Sequence, residues 1–168
     1  MGNMENNDTH FMQAALKEAQ KAFDKKEVPI GAVAVFKNKI IARAHNLRET
    51  KQDPLGHAEI ILLRKLSKKL KRWRMNDITL YVTLEPCLMC MGALMQARVG
   101  RLVFGALDPK AGACGSLYDF AQDFRLNHRI QVSPFILKEE CSNLLSLFFK
   151  KLRDNHKIKK RIKTIRCR

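Results

Sequence analysis

Two short segments carry residues that could do chemistry together: His57-Ala58-Glu59 and Pro86-Cys87-Leu88-Met89-Cys90. Cysteines three apart on a first helical turn aim both sulfurs at one point. A helix N-terminus also favours the thiolate over the thiol. Thiolate and imidazole together suit zinc. His57, Cys87 and Cys90 supply three ligands and leave a fourth position open. An open position marks a catalytic site, because a water bound there is acidified to a pKa of roughly 7. Glu59 lies two residues from His57 and is placed to take that water's proton, first as general base and then as general acid. Other readings are a redox cysteine pair, or a structural zinc completed by Cys114, His45 or Cys141. A redox pair needs no His-x-Glu upstream, so the two segments jointly favour the catalytic zinc site.

The elements that must position these residues follow from pattern. Asp8 or Thr9 can cap a helix running to about Lys26, with Met12, Ala15, Leu16, Ala19, Ala22 and Phe23 on one side. Pro29 blocks helix, and Ala32 to Phe36 reads as a strand. Lys37-Asn38-Lys39 reads as the turn of a hairpin that returns through Ile40 to Ala44. A polar loop spans about Asn46 to Gly56, and His57 starts a second helix. Ile78 to Leu84 is a strand, and Pro86 suits the first turn of a helix from Cys87 to about Arg98. Leu102 to Phe104 and Ile130 to Ile136 are further strands, and a long helix begins at Glu139. Strands alternating with helices after an opening hairpin imply an α/β fold, a three-layer α/β/α sandwich on a mixed sheet.

The 168 residues carry 32 Lys+Arg against 16 Asp+Glu, a formal charge of +16. That excess points away from a neutral metabolic enzyme and toward a polyanionic partner, chiefly nucleic acid. The cations cluster at Arg64 to Arg74 and again at Lys150 to Arg168, with Asp154 the one acid in the two stretches. The 46% hydrophobic content excludes full-chain disorder. No apolar run reaches the roughly 18 residues of a membrane span, and Met1 to Asp8 lacks a signal-peptide core. The expectation is a cytoplasmic protein with no membrane partner. Its parts would be one domain over residues 1–153 and a basic C-terminal extension over 154–168.

Longer segments extend the signature. Glu27 to Val33, Asp53 to Ile60, Leu80 to Leu94, Phe104 to Ser116 and Asn127-His128-Arg129 together resemble bacterial tRNA-specific adenosine deaminases, within the cytidine deaminase-like zinc superfamily. The resemblance covers roughly residues 9 to 153 and implies a five-stranded mixed sheet. It implies one Zn2+ per subunit on His57, Cys87 and Cys90, with Glu59 as proton shuttle. It implies that Asn46 hydrogen-bonds the purine and that the Ala58 and Cys87 amides help hold water and the tetrahedral centre. Val28, Pro29, Ile30 and Leu84 would wall the flipped base, with Asp108, Pro109 and Lys110 beside the RNA. The implied reaction turns the wobble adenosine of tRNA into inosine, chiefly in arginine tRNA with anticodon ACG. The implied partners are the anticodon loop and a second copy in a homodimer. A small-molecule nucleobase or nucleoside deaminase of the same fold is the alternative. Leu47, the Ala44-His45 pair and Gly56 depart from the family's usual residues, which bears on loop geometry rather than on the reaction.

Overall fold

The structure, a computed structural model, describes the backbone of residues 2–166 and the side chains of residues 7–155. The elements run α1 (Gly2–Asp24), β1 (Gly31–Phe36), β2 (Lys39–His45), α2 (Arg48–Lys51), α3 (Ala58–Leu70) and β3 (Thr79–Leu84). They continue with α4 (Leu88–Gln96), β4 (Arg101–Ala106), β5 (Gln131–Ser133) and α5 (Lys138–Arg166). The sheet has five strands in the order β2-β1-β3-β4-β5. β1 is antiparallel to β2 and β3, whereas β3, β4 and β5 run parallel. The mixed sheet anticipated from the sequence is therefore present. Lys37 and Asn38 turn the hairpin with φ of 47° and 58°. Positive φ at both positions is the type I′ geometry that matches strand twist.

Both faces of the sheet are covered, which explains why β1 and β3 read as nearly continuous apolar runs. Ala32, Ala34, Leu80, Val82, Leu102 and Phe104 pack with Leu62 and Leu66 of α3 and Met91 and Leu94 of α4. The alternate residues Val33, Val35, Tyr81 and Val103 pack with Phe11, Met12 and Ala15 of α1 and Cys141 of α5. The period-2 alternation of strand side chains thus sorts the core into two layers. A Cβ at Gly31 would collide with the Ala15 carbonyl and the Ala19 amide, so only glycine lets α1 lie this close to β1.

Several boundaries differ from the sequence reading, each for a tertiary reason. α1 begins at Gly2, so Asp8 and Thr9 lie inside the helix rather than capping it. Asp8 is buried and accepts from the Tyr81 hydroxyl at 2.6 Å and from Arg101 at 2.9 and 2.6 Å. The polar loop after Asn46 contains α2, whose Glu49 and Thr50 amides donate to the buried Glu27 carboxylate at 3.1 and 2.5 Å. β5 is shorter than Ile130 to Ile136, and α5 passes residue 153 without a break. The side chains of residues 156–168, most of the proposed basic extension, lie outside the described residues.

Part of the Arg64 to Arg74 cluster is turned toward the protein. Lys65 and Lys69 donate to the Arg43 and Ile41 carbonyls of the edge strand β2 at 2.6 and 2.8 Å. Arg72 pairs with Asp77, and the Arg74 guanidinium lies 4.8 Å from the Trp73 ring centre. Among the described residues, no helix is long and apolar enough to cross a membrane.

Candidate active site

His57 and Cys87 are the N-cap residues of α3 and α4, both with extended backbone. Their side chains meet beneath the ends of β3 and β4. His57 Nδ1 lies 3.6 Å from Cys87 Sγ and 3.5 Å from Cys90 Sγ. The three ligand atoms all fall within 4.8 Å of one another. Tetrahedral zinc, with Zn–N near 2.1 Å and Zn–S near 2.3 Å, requires an N–S separation of about 3.6 Å. The donor set and its spacing therefore fit the ion. Among the described residues this is the one cluster of at least three such groups, and His45, Cys114 and Cys141 stand outside it. His45 lies between Glu18 and Lys25, at 3.3 and 3.1 Å, while Cys141 packs in the opposite layer.

The electrostatics agree with the geometry. A hydrogen bond from the Cys90 thiol, helped by His57, outweighs burial and holds the Cys87 thiol down at about 4. The same contact and burial push the Cys90 thiol up. Glu59 is 4% exposed, and burial pushes its carboxyl up to about 7. Its Oε2 is buried without a hydrogen-bond partner, as is Oδ1 of Asn46. Both residues line a cleft of about 770 Å³ that His57 and Cys87 also line. Such acceptors are costly unless a ligand or water completes them.

The remaining sequence-derived residues divide. Val28, Ile30, Leu84, Asn46, Asp108, Pro109 and Lys110 line the cleft. Asn46 Nδ2 donates to the Val28 carbonyl at 3.4 Å, while its Oδ1 is buried without a partner. Pro29, expected in the wall, is buried and is not among the lining residues. Ala58 is fully buried in the α3 core, so its side chain forms no part of the wall. Asp108 turns its carboxylate onto its own loop, accepting from the Lys110 and Ala111 amides at 3.0 and 3.2 Å. The sequence reading missed Arg48 on α2, Glu85 after β3, and Ser142, Leu145, Ser146, Phe149 and Arg153 on α5. The one signal available for the α5 group was helical spacing, with Ser142, Leu145, Ser146, Phe149 and Arg153 falling at i, i+3, i+4, i+7 and i+11 on one stripe.

Fold and site together define a mixed α/β protein whose His57, Cys87 and Cys90 cluster is compatible with a metal ion beside a buried carboxylate, and comparison with known proteins gives the class. The MafB19-like deaminase profile matches residues 6–153. The tRNA-specific adenosine deaminase of Bacillus subtilis (strain 168) is 51% identical over 150 residues, spanning 89% of this chain and 93% of the relative. A solved structure from studies of A-to-I editing by tRNA:A34 deaminases at the wobble position superposes with a TM-score of 0.78 at 41% identity. That match covers 81% of this chain and 99% of the other. The guanine deaminase of Nitrosomonas europaea shares the fold at 22% identity, with a TM-score of 0.69 and 83% of each chain covered. The chain belongs to the MafB19-like deaminases and, within them, to the tRNA-specific adenosine deaminases.

Proposed function

We propose that this chain hydrolyses the wobble adenosine of tRNA to inosine, chiefly in arginine tRNA with anticodon ACG, and releases ammonia. The observation that carries the reading is the unpartnered Glu59 carboxylate oxygen at the floor of the cleft beside the His57, Cys87 and Cys90 triad. When bound by that triad, one zinc ion per subunit supplies Lewis acidity that lowers the pKa of the attacking water. Glu59 takes the proton from that water and delivers it to the departing amine, so that water in and ammonia out balance. Burial near pKa 7 suits a carboxyl that must both accept and donate. The Ala58 and Cys87 amides, at the starts of the two helices, are placed to steady the developing charge.

Asn46 Oδ1 accepts a hydrogen bond from the bound nucleotide, while Val28, Ile30 and Leu84 clasp the base. Asp108 shapes the rim and Lys110 meets RNA phosphate. An anticodon loop already presents unpaired bases, which lowers the cost of drawing one into the cleft. Residues 1–153 form the deaminase domain in this reading, and 154–168 add basic charge. The exposed Leu55, Leu88, Leu117, Tyr118 and Phe124 favour a homodimer by offering apolar surface for a second copy. The setting is cytoplasmic, where tRNA is found.

The test is inosine formation in an arginine tRNA bearing an ACG anticodon, with free adenosine alongside. Glu59→Ala should lower turnover by about 10² to 10⁴-fold while zinc content stays near one per chain. An active variant would remove Glu59 from the mechanism. Ammonia from a free base without inosine in tRNA would move the protein to the small-molecule deaminases.

A further inference from the structure

Glu85 is buried at 2% exposure and stands two residues before the ligand Cys87. The described partners of its carboxylate are donors from a single loop, residues 107–116. Oε1 accepts from the Cys114 and Ser116 amides at 2.9 and 3.0 Å. Oε2 accepts from the Asp108 amide at 3.0 Å and from the Ser116 hydroxyl. A carboxylate is an acceptor-only group with room for these donors, whereas a carboxamide would turn its own N–H groups toward some of them.

The same loop is bonded to the ligand-bearing segment by its backbone. The Ala113 amide donates to the Pro86 carbonyl at 2.9 Å, and Gly112 and Cys87 form an isolated antiparallel bridge. A Cβ on Gly112 would run into the Glu85 carboxylate and the Asp108 carbonyl, so glycine lets the loop close over that carboxylate. The loop's outer turn carries Asp108 and the exposed Lys110, both on the cleft. One side chain therefore organises both the rim that would meet RNA and the backbone that presents Cys87.

We infer that Glu85 is a positioning residue that couples RNA binding at the 107–116 loop to metal retention at Cys87. The RNA half rests on the proposed reaction; the metal half rests on the triad geometry alone. The test compares zinc-loaded parent with Glu85→Gln. Zinc release to a colorimetric chelator should accelerate several-fold, less than the roughly 10–100-fold of a direct outer partner of a metal ligand, because Glu85 acts on Cys87 through the loop backbone. The Kd and KM for an ACG stem-loop should rise about tenfold, as a rim amide loses its partner. Zinc in excess should restore the bound metal but not the Kd, a split that general loss of structure would not produce. Ser116→Ala, which removes one donor, should move release and Kd the same way by a smaller factor. It also serves as the test if Glu85→Gln does not fold. Folded variants that hold zinc like the parent, or change zinc release without changing RNA affinity, or the reverse, would overturn the coupling. A parent that binds the stem-loop but makes no inosine fails the reaction reading, while zinc release and Kd still decide the role of Glu85.

Discussion

Replacing Asp8 with Asn should destabilise the protein by a pH-dependent amount and leave the reaction untouched. Asp8 is 6% exposed and accepts three hydrogen bonds, two of them from the Arg101 guanidinium as a bidentate ion pair. Arg101 also donates to Ser133 at 2.8 Å, so the network joins α1, β3, β4 and β5. Breaking a buried ion pair costs about 3 to 5 kcal/mol. Here the Arg101 side chain keeps 23% exposure and water recovers part of that cost. Asparagine also retains one acceptor oxygen, so about 2 to 3 kcal/mol remains. For a chain of this size that lowers Tm by about 5 to 10 °C. Burial alone would raise the Asp8 carboxyl, but hydrogen bonds from Arg101 and Tyr81 and the Arg101 charge outweigh it and hold the group below its ordinary 3.8. A depressed carboxylate contributes stability that is fully present above the unfolded value and is lost as pH falls through the folded one. The Tm gap between parent and variant should therefore be constant from about pH 5 to 8 and close below pH 4. Thermal melts by circular dichroism across that range, with denaturant melts at the acid end, measure it. No member of the network lines the cleft, so kcat/KM at 25 °C should match the parent's. No gap at pH 7, a full gap at pH 3, or a lost rate would each refute the reasoning.

Two other outcomes follow from the charge distribution. Lys65→Ala with Lys69→Ala should expose the Ile41 and Arg43 carbonyls on the β2 edge and promote concentration-dependent association, seen by sedimentation. The salt slope of RNA binding should stay unchanged, because these ammonium groups serve the sheet; a flatter slope would return them to phosphate contact. Deleting residues from Asp154 onward removes Lys157, Lys159, Lys160, Arg161, Lys163, Arg166 and Arg168. Each RNA phosphate that the shortened chain leaves unneutralised should flatten log Kd against log salt by about 0.7 to 0.9, and an identical slope would make the tail a bystander.

The clustering of His57, Cys87 and Cys90 was legible in the sequence because its information is local. His-x-Glu and Cys-x-x-Cys each fit within one helical turn, although Pro86, read as part of the first turn of α4, stands ahead of the N-cap Cys87 and the helix begins at Leu88. The hairpin was equally local, fixed by two residues at positive φ. What stayed hidden depends on partners distant in the chain. Glu27 and Glu85 look like surface carboxylates until the folded chain shows them gathering amides 22 to 31 residues away. Asp8 resembled a helix cap because its partners Tyr81 and Arg101 lie 73 and 93 residues on. The clustered lysines of α3 pointed to phosphate, since nothing in their spacing reveals that an edge strand lies beneath two of them.

The order in which the cleft is assembled matters during synthesis. The three residues that could hold a metal fall between 57 and 90, but the lining begins at Val28 and is completed only by α5, at Arg153. A growing chain therefore makes the His57, Cys87 and Cys90 segments well before the last part of the cleft wall. Until residues 142–153 leave the ribosome, the cleft lacks its α5 side. The last helix to be made is thus the one that finishes the cleft.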